Sequence, residues 1–235
     1  MSSTQRVEAK RRARQERERK RERWDSLTDW ARDRAAFLTV PIARLVGRLG
    51  VHPNTLTIVG LALQVGVAVV FGLGHLRLGG CLLLIVAPVD ALDGAVARTL
   101  GKQSRFGAFL DSTLDRIADA VLILGLAAHH IGQGDHLPVA LLLTALVSVV
   151  MVSYTRARAE ALGFPCKVGL LTRMERIVLI GVLLAVGLPL VMVWALAVLS
   201  LITMLQRILY VYAISRREER EEHGEEGSAE TEAPR

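Results

Sequence analysis

Apolar runs long enough to cross a bilayer recur along this chain, and they constrain its fold more than any other feature. A helix needs about 20 mostly apolar residues to cross the hydrocarbon core. The sequence predicts six such helices: Thr55–Leu73, Leu78–Ala97, Gly107–His129, Pro138–Tyr154, Ile177–Leu188 extended by its polar N-terminal turn, and Leu190–Tyr212. Glycine and proline at Gly187-Leu188-Pro189 predict a tight turn between the last two. The predicted fold is all-α, an integral membrane bundle of six transmembrane helices.

Charge is concentrated at the two ends of the chain. Of the 235 residues, 51% are hydrophobic and 22% are charged. Residues 1–24 contain ten Lys or Arg and four Glu, and residues 216–235 contain four Arg and eight Glu. Polar tails around an apolar body exclude a disordered chain, a disulfide-rich secreted domain and a simple soluble enzyme. Cys81 and Cys166 form no metal or disulfide pattern.

The positions of Lys and Arg between the spans predict the orientation in the membrane. Basic residues collect in the N-terminal region and in the connections 98–106 and 156–176, whereas the opposite connections contain only Arg77. Cytoplasmic connections carry the excess of positive charge. We therefore expect a multi-pass protein of the cell (inner or plasma) membrane with both termini and both basic connections in the cytoplasm.

The same patterns divide the chain into four parts. Residues 1–23 form a polybasic cytoplasmic arm, and 24–50 form an amphipathic interfacial helix whose Trp24 and Trp30 suit the water–lipid boundary. A solvated linker helix kinked at Pro41 is the alternative for that segment. We expect residues 51–215 to form the six-helix transmembrane domain and 216–235 to form an acidic disordered tail. The arm lacks the interleaved aromatic residues of nucleic-acid binders, so no nucleic-acid partner is expected.

Aspartates within the second and third predicted spans point to chemistry, because charge inside a membrane is costly and usually functional. At about 100° per residue, Asp90 and Asp93 share one face of their helix, and the other three form a ladder on the next helix. The five are Asp90, Asp93, Asp111, Asp115 and Asp119. Such oxygen donors favour Mg²⁺, Mn²⁺ or Ca²⁺. The alternatives are a structural network with Arg98, Arg105 and Arg116, or the ion path of a small transporter.

Small residues next to these carboxylates predict space for a ligand. Gly94 follows Asp93, and Gly107 lies at the opening of the next helix, where glycine lets a ligand approach the backbone. The small side chain of Ala97 enlarges this space, and Arg98 supplies a guanidinium suited to phosphate. The motif thus combines metal ligands, space for a ligand and an arginine. This combination favours a pyrophosphate-binding site over the ion path of a transporter.

The motif as a whole resembles a known signature. It runs Asp90-Ala-Leu-Asp93-Gly94-Ala-Val-Ala97-Arg98, eight residues, Gly107-Ala-Phe-Leu-Asp111-Ser-Thr-Leu-Asp115. Every fixed position of DxxDGxxAR–x8–GxxxDxxxD, the signature of the CDP-alcohol phosphotransferases, is present. The resemblance extends from about Val40 to Tyr212 and includes Pro53-Asn54-Thr55-Leu56-Thr57. It also implies six transmembrane helices, an N-terminal interfacial helix and a homodimer.

The resemblance implies a role for each residue of the motif. Asp90, Asp93 and Asp111 would bind a first metal ion and Asp115 would complete a second, both ions being Mg²⁺ or Mn²⁺. The cytidine diphosphate of CDP-diacylglycerol would lie against Gly94, Ala97, Arg98 and Gly107. Asp115 would also be the general base that takes the proton of the acceptor hydroxyl, after which CMP leaves. Asp119 lies outside the signature, and we expect it to make a structural polar contact.

Basic residues at the cytoplasmic helix ends bear on the acceptor. A cluster of guanidinium groups beside a metal site suits an acceptor that carries its own phosphate, although positive-inside bias and pairing with Glu160 and Glu175 also explain it. The pattern resembles the bacterial phosphatidylinositol phosphate synthases. It implies inositol 1-phosphate as acceptor, with its phosphate bound by Arg156, Arg158, Arg176 and Arg207.

Two departures from that group leave the acceptor open. Arg156 replaces a common Lys, and Pro165-Cys166-Lys167-Val168 replaces a Gly-rich stretch. Glycerol 3-phosphate, the acceptor of phosphatidylglycerophosphate synthase, is the alternative. An archaeal-type lipid is the alternative donor.

Overall fold

Six helices make up the part of the chain that the structure, a computed structural model, describes. That part is residues 53–99 and 104–231, with side chains at 54–88 and 104–217. The helices are α1 (Pro53–Gly72), α2 (Leu76–Thr99), α3 (Arg105–Gln133), α4 (His136–Ala161), α5 (Arg173–Val186) and α6 (Pro189–Thr231). The all-α prediction is confirmed for these residues. The predicted arm (1–23) and interfacial helix (24–50) lie outside them.

The helix ends follow from capping residues in the sequence. Ser104 precedes α3, and its Oγ accepts a hydrogen bond from the Gly107 N–H at 2.9 Å. A serine in this position satisfies a backbone donor that the helix itself leaves unpaired. Gly187 ends α5 in the left-handed conformation (φ 88°), which glycine adopts without strain. Pro189 begins α6, so the predicted turn between the last two helices is confirmed.

Close helix contacts define the topology of the bundle. α1 and α3 run parallel, because Asn54 lies beside Gly107 and Ala68 lies beside Gly125. Gly80 of α2 packs against Gly181 near the end of α5, and Arg207 of α6 reaches the Val152 carbonyl of α4. We call the end of the bundle at which α1, α3 and α5 begin the site end. The core between the helices includes Phe71, Leu83, Leu122, Leu126, Leu142, Leu184, Met192 and Leu196.

Length and apolar character make this chain a membrane protein. Among the described residues, three helices are long and apolar enough to cross a bilayer: Asn54–Gly72, His136–Ala161 and Pro189–Arg217, with mean hydropathies of 2.0 to 2.2. A shorter apolar helix covers Leu76–Pro88. α3 differs because carboxylates interrupt it, and α5 has only 14 residues. The coarser prediction of an apolar helical bundle in a membrane therefore stands.

The last helix departs from the prediction for the C-terminus. α6 has 43 residues and ends at Thr231, so the backbone is helical through most of the segment predicted to be a disordered tail. At 1.5 Å per residue the helix is about 64 Å long, roughly twice the thickness of a hydrocarbon core. Glu and Arg, which dominate the segment, both have high helix propensity, and a helix already formed in the apolar part propagates into it at low cost.

Candidate active site

Three carboxylates form a ladder on α3 near the site end. Asp111, Asp115 and Asp119 are spaced by four residues in a continuous helix, so they lie one turn apart on one face, as predicted. Asp111 and Asp115 are partly exposed, whereas Asp119 is buried. The ladder therefore leads from an accessible surface into the interior. The accessible oxygens of Asp111 and Asp115 are hard donors of the kind that Mg²⁺ and Mn²⁺ prefer.

The other half of the motif lies at the end of α2. The helix is continuous to Thr99 and includes both Asp90 and Asp93. The side chains of these two aspartates, and of Ala97 and Arg98, are outside the described part, as are the surroundings of Gly94. Only residues 100–104 connect α2 to α3, and such a connection spans about 20 Å at most. The two halves of the motif are thus held at the same end of the bundle.

Gly107 brings together two polar residues that the motif does not include. A Cβ atom at this position would lie 2.9 Å from Ser104 Oγ and 3.2 Å from Asn54 Oδ1. A larger residue would therefore have to displace the Ser104 hydroxyl and the Asn54 amide. Asn54 and Ser104 were not predicted as site residues. Their signals in the sequence are the Pro53-Asn54-Thr55 segment and a serine three residues before a glycine at a helix start.

Two arginines of α5 face the aspartate ladder. Arg173 Nη1 lies 2.9 Å from Asp115 Oδ1, and Arg173 Nε lies 3.8 Å from Asp119 Oδ1. Arg176 Nη2 donates to Asp119 Oδ2 in the interior. The expected structural contact of Asp119 is thereby confirmed. Its partners come from α5, whereas Arg116, which the structural alternative invoked, donates to the Ser112 carbonyl of its own helix.

The arginines predicted to bind the acceptor phosphate fall into two groups. Arg156 and Arg158 are exposed, and Arg156 Nε donates to Glu160 Oε1 at 2.8 Å. Arg207 is buried but has Arg156, Arg176 and Glu160 as electrostatic neighbours. Three of the four predicted arginines are thus gathered together. Arg176 differs from the exposed pair, because its guanidinium points to Asp119 instead of the surface. Arg173, one turn earlier and partly exposed, was not among the predicted residues.

The connection between α4 and α5 is hydrogen-bonded to α6. Arg207 Nε donates to the Val168 carbonyl at 2.8 Å, and its Nη1 donates to the Val152 carbonyl at 2.5 Å. The Leu171 N–H donates to Thr203 Oγ1 at 3.1 Å. Cys166 in this connection is fully buried, and that burial raises the pKa of its thiol while nearby Arg207 acts in the opposite sense. Cys166 is therefore a neutral packing group.

These features define a class of protein: a helical membrane protein with a row of carboxylates facing arginines at one end of the bundle. The sequence profile of the CDP-alcohol phosphatidyltransferases matches residues 50–211. This match covers most of the chain, and the chain belongs to the CDP-alcohol phosphatidyltransferase family. It is accordingly an enzyme, a transferase of phospholipid biosynthesis, and the ion-transporter alternative is wrong.

Individual relatives cover most of the chain and most of their own length. Phosphatidylinositol phosphate synthase of Mycobacteroides abscessus is 41% identical over 189 residues, which is 76% of this chain and 85% of the relative. Archaetidylinositol phosphate synthase of Pyrococcus horikoshii is 38% identical over 168 residues, which is 71% of this chain and 87% of the relative.

The fold is also similar to that of solved structures. Phosphatidylinositol phosphate synthase of Mycobacterium tuberculosis with CDP-DAG bound superimposes with a TM-score of 0.70 and 37% sequence identity, over 75% of this chain and 94% of that one. The same enzyme in complex with manganese and citrate superimposes with a TM-score of 0.68 and 37% sequence identity, over 74% of this chain and 88% of that one.

Proposed function

We propose that this protein transfers the phosphatidyl group of CDP-diacylglycerol to inositol phosphate and releases CMP. One observation carries the proposal: the accessible carboxylates of Asp111 and Asp115 lie at the same end of the bundle as Arg156, Arg158 and Arg207. Carboxylates suit metal-assisted attack on a pyrophosphate, and arginines suit an acceptor that is itself phosphorylated.

The names of the relatives agree on the acceptor, inositol phosphate, but differ in the lipid donor. The bacterial and the archaeal names differ in their lipid part, phosphatidyl against archaetidyl, and agree on inositol phosphate. The Mycobacterium tuberculosis synthase was crystallised with CDP-DAG, which supports a diacylglycerol donor. Glycerol 3-phosphate remains the acceptor to be tested against inositol phosphate.

The carboxylates of this chain fit a divalent metal centre. Asp90, Asp93, Asp111 and Asp115 would hold two ions, Mg²⁺ or Mn²⁺, and manganese is present in a structure of the Mycobacterium tuberculosis synthase. Asp111 and Asp115 supply oxygen donors one helical turn apart, both partly exposed. When bound, such ions supply positive charge that stabilises the attacking and leaving oxygens.

Asp115 has the position of a general base. Its side chain is partly exposed and contacts Arg173 at 2.9 Å, so an incoming hydroxyl group can approach the carboxylate from the exposed side. Asp115 accepts the proton of the acceptor hydroxyl while that oxygen forms a bond to the phosphorus bearing the lipid. The bond from this phosphorus to the bridging oxygen breaks, and CMP leaves with the electron pair. Gly107, and with it Gly94, Ala97 and Arg98, would line the cytidine diphosphate.

The membrane arrangement supports the same chemistry. We propose six membrane-crossing helices, with the site end and both termini in the cytoplasm. The site end contains Arg105, Arg156, Arg158 and Arg173, whereas Arg77 lies at the opposite end, and positive-inside bias then gives the orientation. A site at the cytoplasmic mouth of the bundle meets the donor in the inner leaflet and the acceptor in water. We also propose a homodimer.

A CMP-release assay with a panel of acceptors tests the proposed function. Purified protein with CDP-diacylglycerol and Mg²⁺ or Mn²⁺ should release CMP with inositol 1-phosphate, and much less with glycerol 3-phosphate or free inositol. A chelator should stop the release, and added Mn²⁺ or Mg²⁺ should restore it. Preference for glycerol 3-phosphate would contradict the acceptor but not the family chemistry. Release that persists in the chelator would contradict the metal centre.

Arg207 gives a second test, aimed at the acceptor. Arg207→Gln removes a positive charge. It also removes the guanidinium group that donates to the Val152 and Val168 carbonyls. Because a hydrogen bond to a charged group is worth about 1.5–3 kcal/mol, we expect the acceptor KM to rise about ten-fold or more. The donor KM should stay near its wild-type value. Arg216→Gln is the matched control, since Arg216 is exposed and stacks over the Tyr212 ring at 5.5 Å. Equal rises in both KM values would show that Arg207 serves the fold alone.

A further inference from the structure

We propose that Arg173 is a positioning residue for Asp115, and that the buried Asp119–Arg176 pair anchors Arg173. This inference rests on the proposed function, in which Asp115 takes the proton of the acceptor. It assigns a role in the reaction to two residues outside the signature motif, Asp119 and Arg173. It also explains why a third, Arg176, is directed inward.

The geometry places Arg173 between two carboxylates. Asp115 and Asp119 are four residues apart on α3, and Arg173 and Arg176 are three apart on α5, so each pair lies on one helix face. Arg173 Nη1 lies 2.9 Å from Asp115, and its Nε lies 3.8 Å from Asp119. The guanidinium is a planar fork that can address two acceptors at once. It therefore makes a close contact with Asp115 and a longer ion-pair contact, beyond hydrogen-bond distance, with Asp119 on the same helix.

The four side chains form a network of two ion pairs, Asp119–Arg176 and Asp115–Arg173, which differ in burial. The side chains of Asp119 and Arg176 are 5% and 3% exposed, whereas those of Asp115 and Arg173 are 27% and 22% exposed. An ion pair is held far more firmly in the interior than near water, where solvent screens it. The inner pair is thus the fixed end, and the outer pair remains accessible to a substrate.

The charges of these four side chains are consistent with a buried pair and a partly exposed pair. Two carboxylates face two guanidinium groups, so the four side chains sum to zero. A lone Asp119 on this face of α3 would be an unpaired buried charge, which is strongly unfavourable. Arg176 neutralises Asp119, and Arg173 makes its closer contact with Asp115. A network that only fastened α5 to α3 would not need a contact with the exposed Asp115.

The test is Arg173→Lys. Lysine keeps the positive charge but is a point donor, so it cannot hold both carboxylates as the guanidinium does. Since a displacement of about 1 Å can cost 10²-fold, we expect kcat to fall by between about ten-fold and a hundred-fold. The KM values for inositol 1-phosphate and CDP-diacylglycerol should stay within about three-fold. The Kd for Mn²⁺ alone, measured by titration calorimetry without substrate, should rise, because the displaced Asp115 is also a proposed ligand of the metal.

Each other outcome has a definite meaning. Unchanged kcat would overturn the proposal, and so would a rise in acceptor KM at constant kcat, because Arg173 would then be an acceptor ligand. Loss of Mn²⁺ affinity together with kcat would support the positioning role, because a guanidinium cannot itself bind a cation and the affinity can fall only through Asp115. Arg116→Lys is the matched control and should leave kcat unchanged, since within the described part of the chain Arg116 donates to the Ser112 carbonyl of its own helix. Wild-type protein inactive with every acceptor would instead refute the proposed function.

A double variant tests the anchor. Asp119→Asn with Arg176→Met removes both charges of the inner pair, which is far less destabilising than removing one. We expect a monodisperse protein in detergent with the same loss of kcat as Arg173→Lys. Wild-type kcat in the double variant would overturn the role of the inner pair. Should this variant fail to fold, Arg173→Lys decides the proposal by itself.

Discussion

Asp115→Asn should lower CMP release by at least about a thousand-fold while the protein remains folded. Loss of a general base alone costs about 10²–10⁴ in rate. The same substitution removes a negatively charged oxygen from the proposed metal centre. Asparagine has the size of aspartate, but its amide neither carries charge nor accepts a proton at neutral pH. Because Asp115 is partly exposed and Arg173 retains Asp119 nearby, the cost in stability should be small.

The measurement is kcat for CMP release, with folding followed by size-exclusion chromatography in detergent. Asp135→Asn is the matched control. Asp135 is an exposed residue at the opposite end of the bundle, where it lies 3.0 Å from His130 Nδ1. The same chemical change there should leave kcat within about two-fold, as is usual for surface sites away from special features. An Asp115→Asn protein with more than a tenth of wild-type activity would show that another group takes the proton.

The sequence was sufficient to predict what depends on local chemistry. Apolar runs, the capping Ser104 and the Gly187–Pro189 turn each act within a few residues, and the helices begin and end close to them. The spacing of Asp111, Asp115 and Asp119 needs only helical periodicity to place them on one face. Family membership then agreed with the signature motif that contains the first two of these residues.

What the sequence did not provide depends on how helices pack. Arg173 and Arg176 are three residues apart on one face of α5, and nothing in their own neighbourhood says which lies deeper. The depth is set by how α5 crosses α3. Arg176 lies opposite the buried Asp119, and Arg173 lies opposite the accessible Asp115. The resemblance implied Arg176 as a phosphate ligand, and nothing in the sequence indicated its contact with Asp119. The length of α6 was missed because a composition typical of disorder is also rich in helix formers.

Gly125→Ala should destabilise the folded protein strongly, because α1 and α3 are in backbone contact there. A Cβ atom at Gly125 would lie 2.3 Å from the Ala68 carbonyl oxygen and 2.9 Å from the Ala68 Cα. Both are backbone atoms of α1, so no side chain can rotate away and the helices must separate. Overpacking costs about 1–3 kcal/mol where side chains can adjust. With only backbone to move, we expect a loss of about 3 kcal/mol or more in the free energy of unfolding.

Gly132→Ala is the matched control, in the same helix and with the same added methyl group. Among the described residues, no atom outside the local helix lies within 4 Å of a Cβ built there, so alanine brings only its higher helix propensity, worth up to about 1 kcal/mol. Unfolding in SDS, followed by circular dichroism, should show opposite shifts for the two variants. Because α1 also places Asn54 beside Gly107 at the site end, Gly125→Ala should lose activity together with stability. Equal stability of the two variants would mean that α1 and α3 do not pack at Ala68 and Gly125.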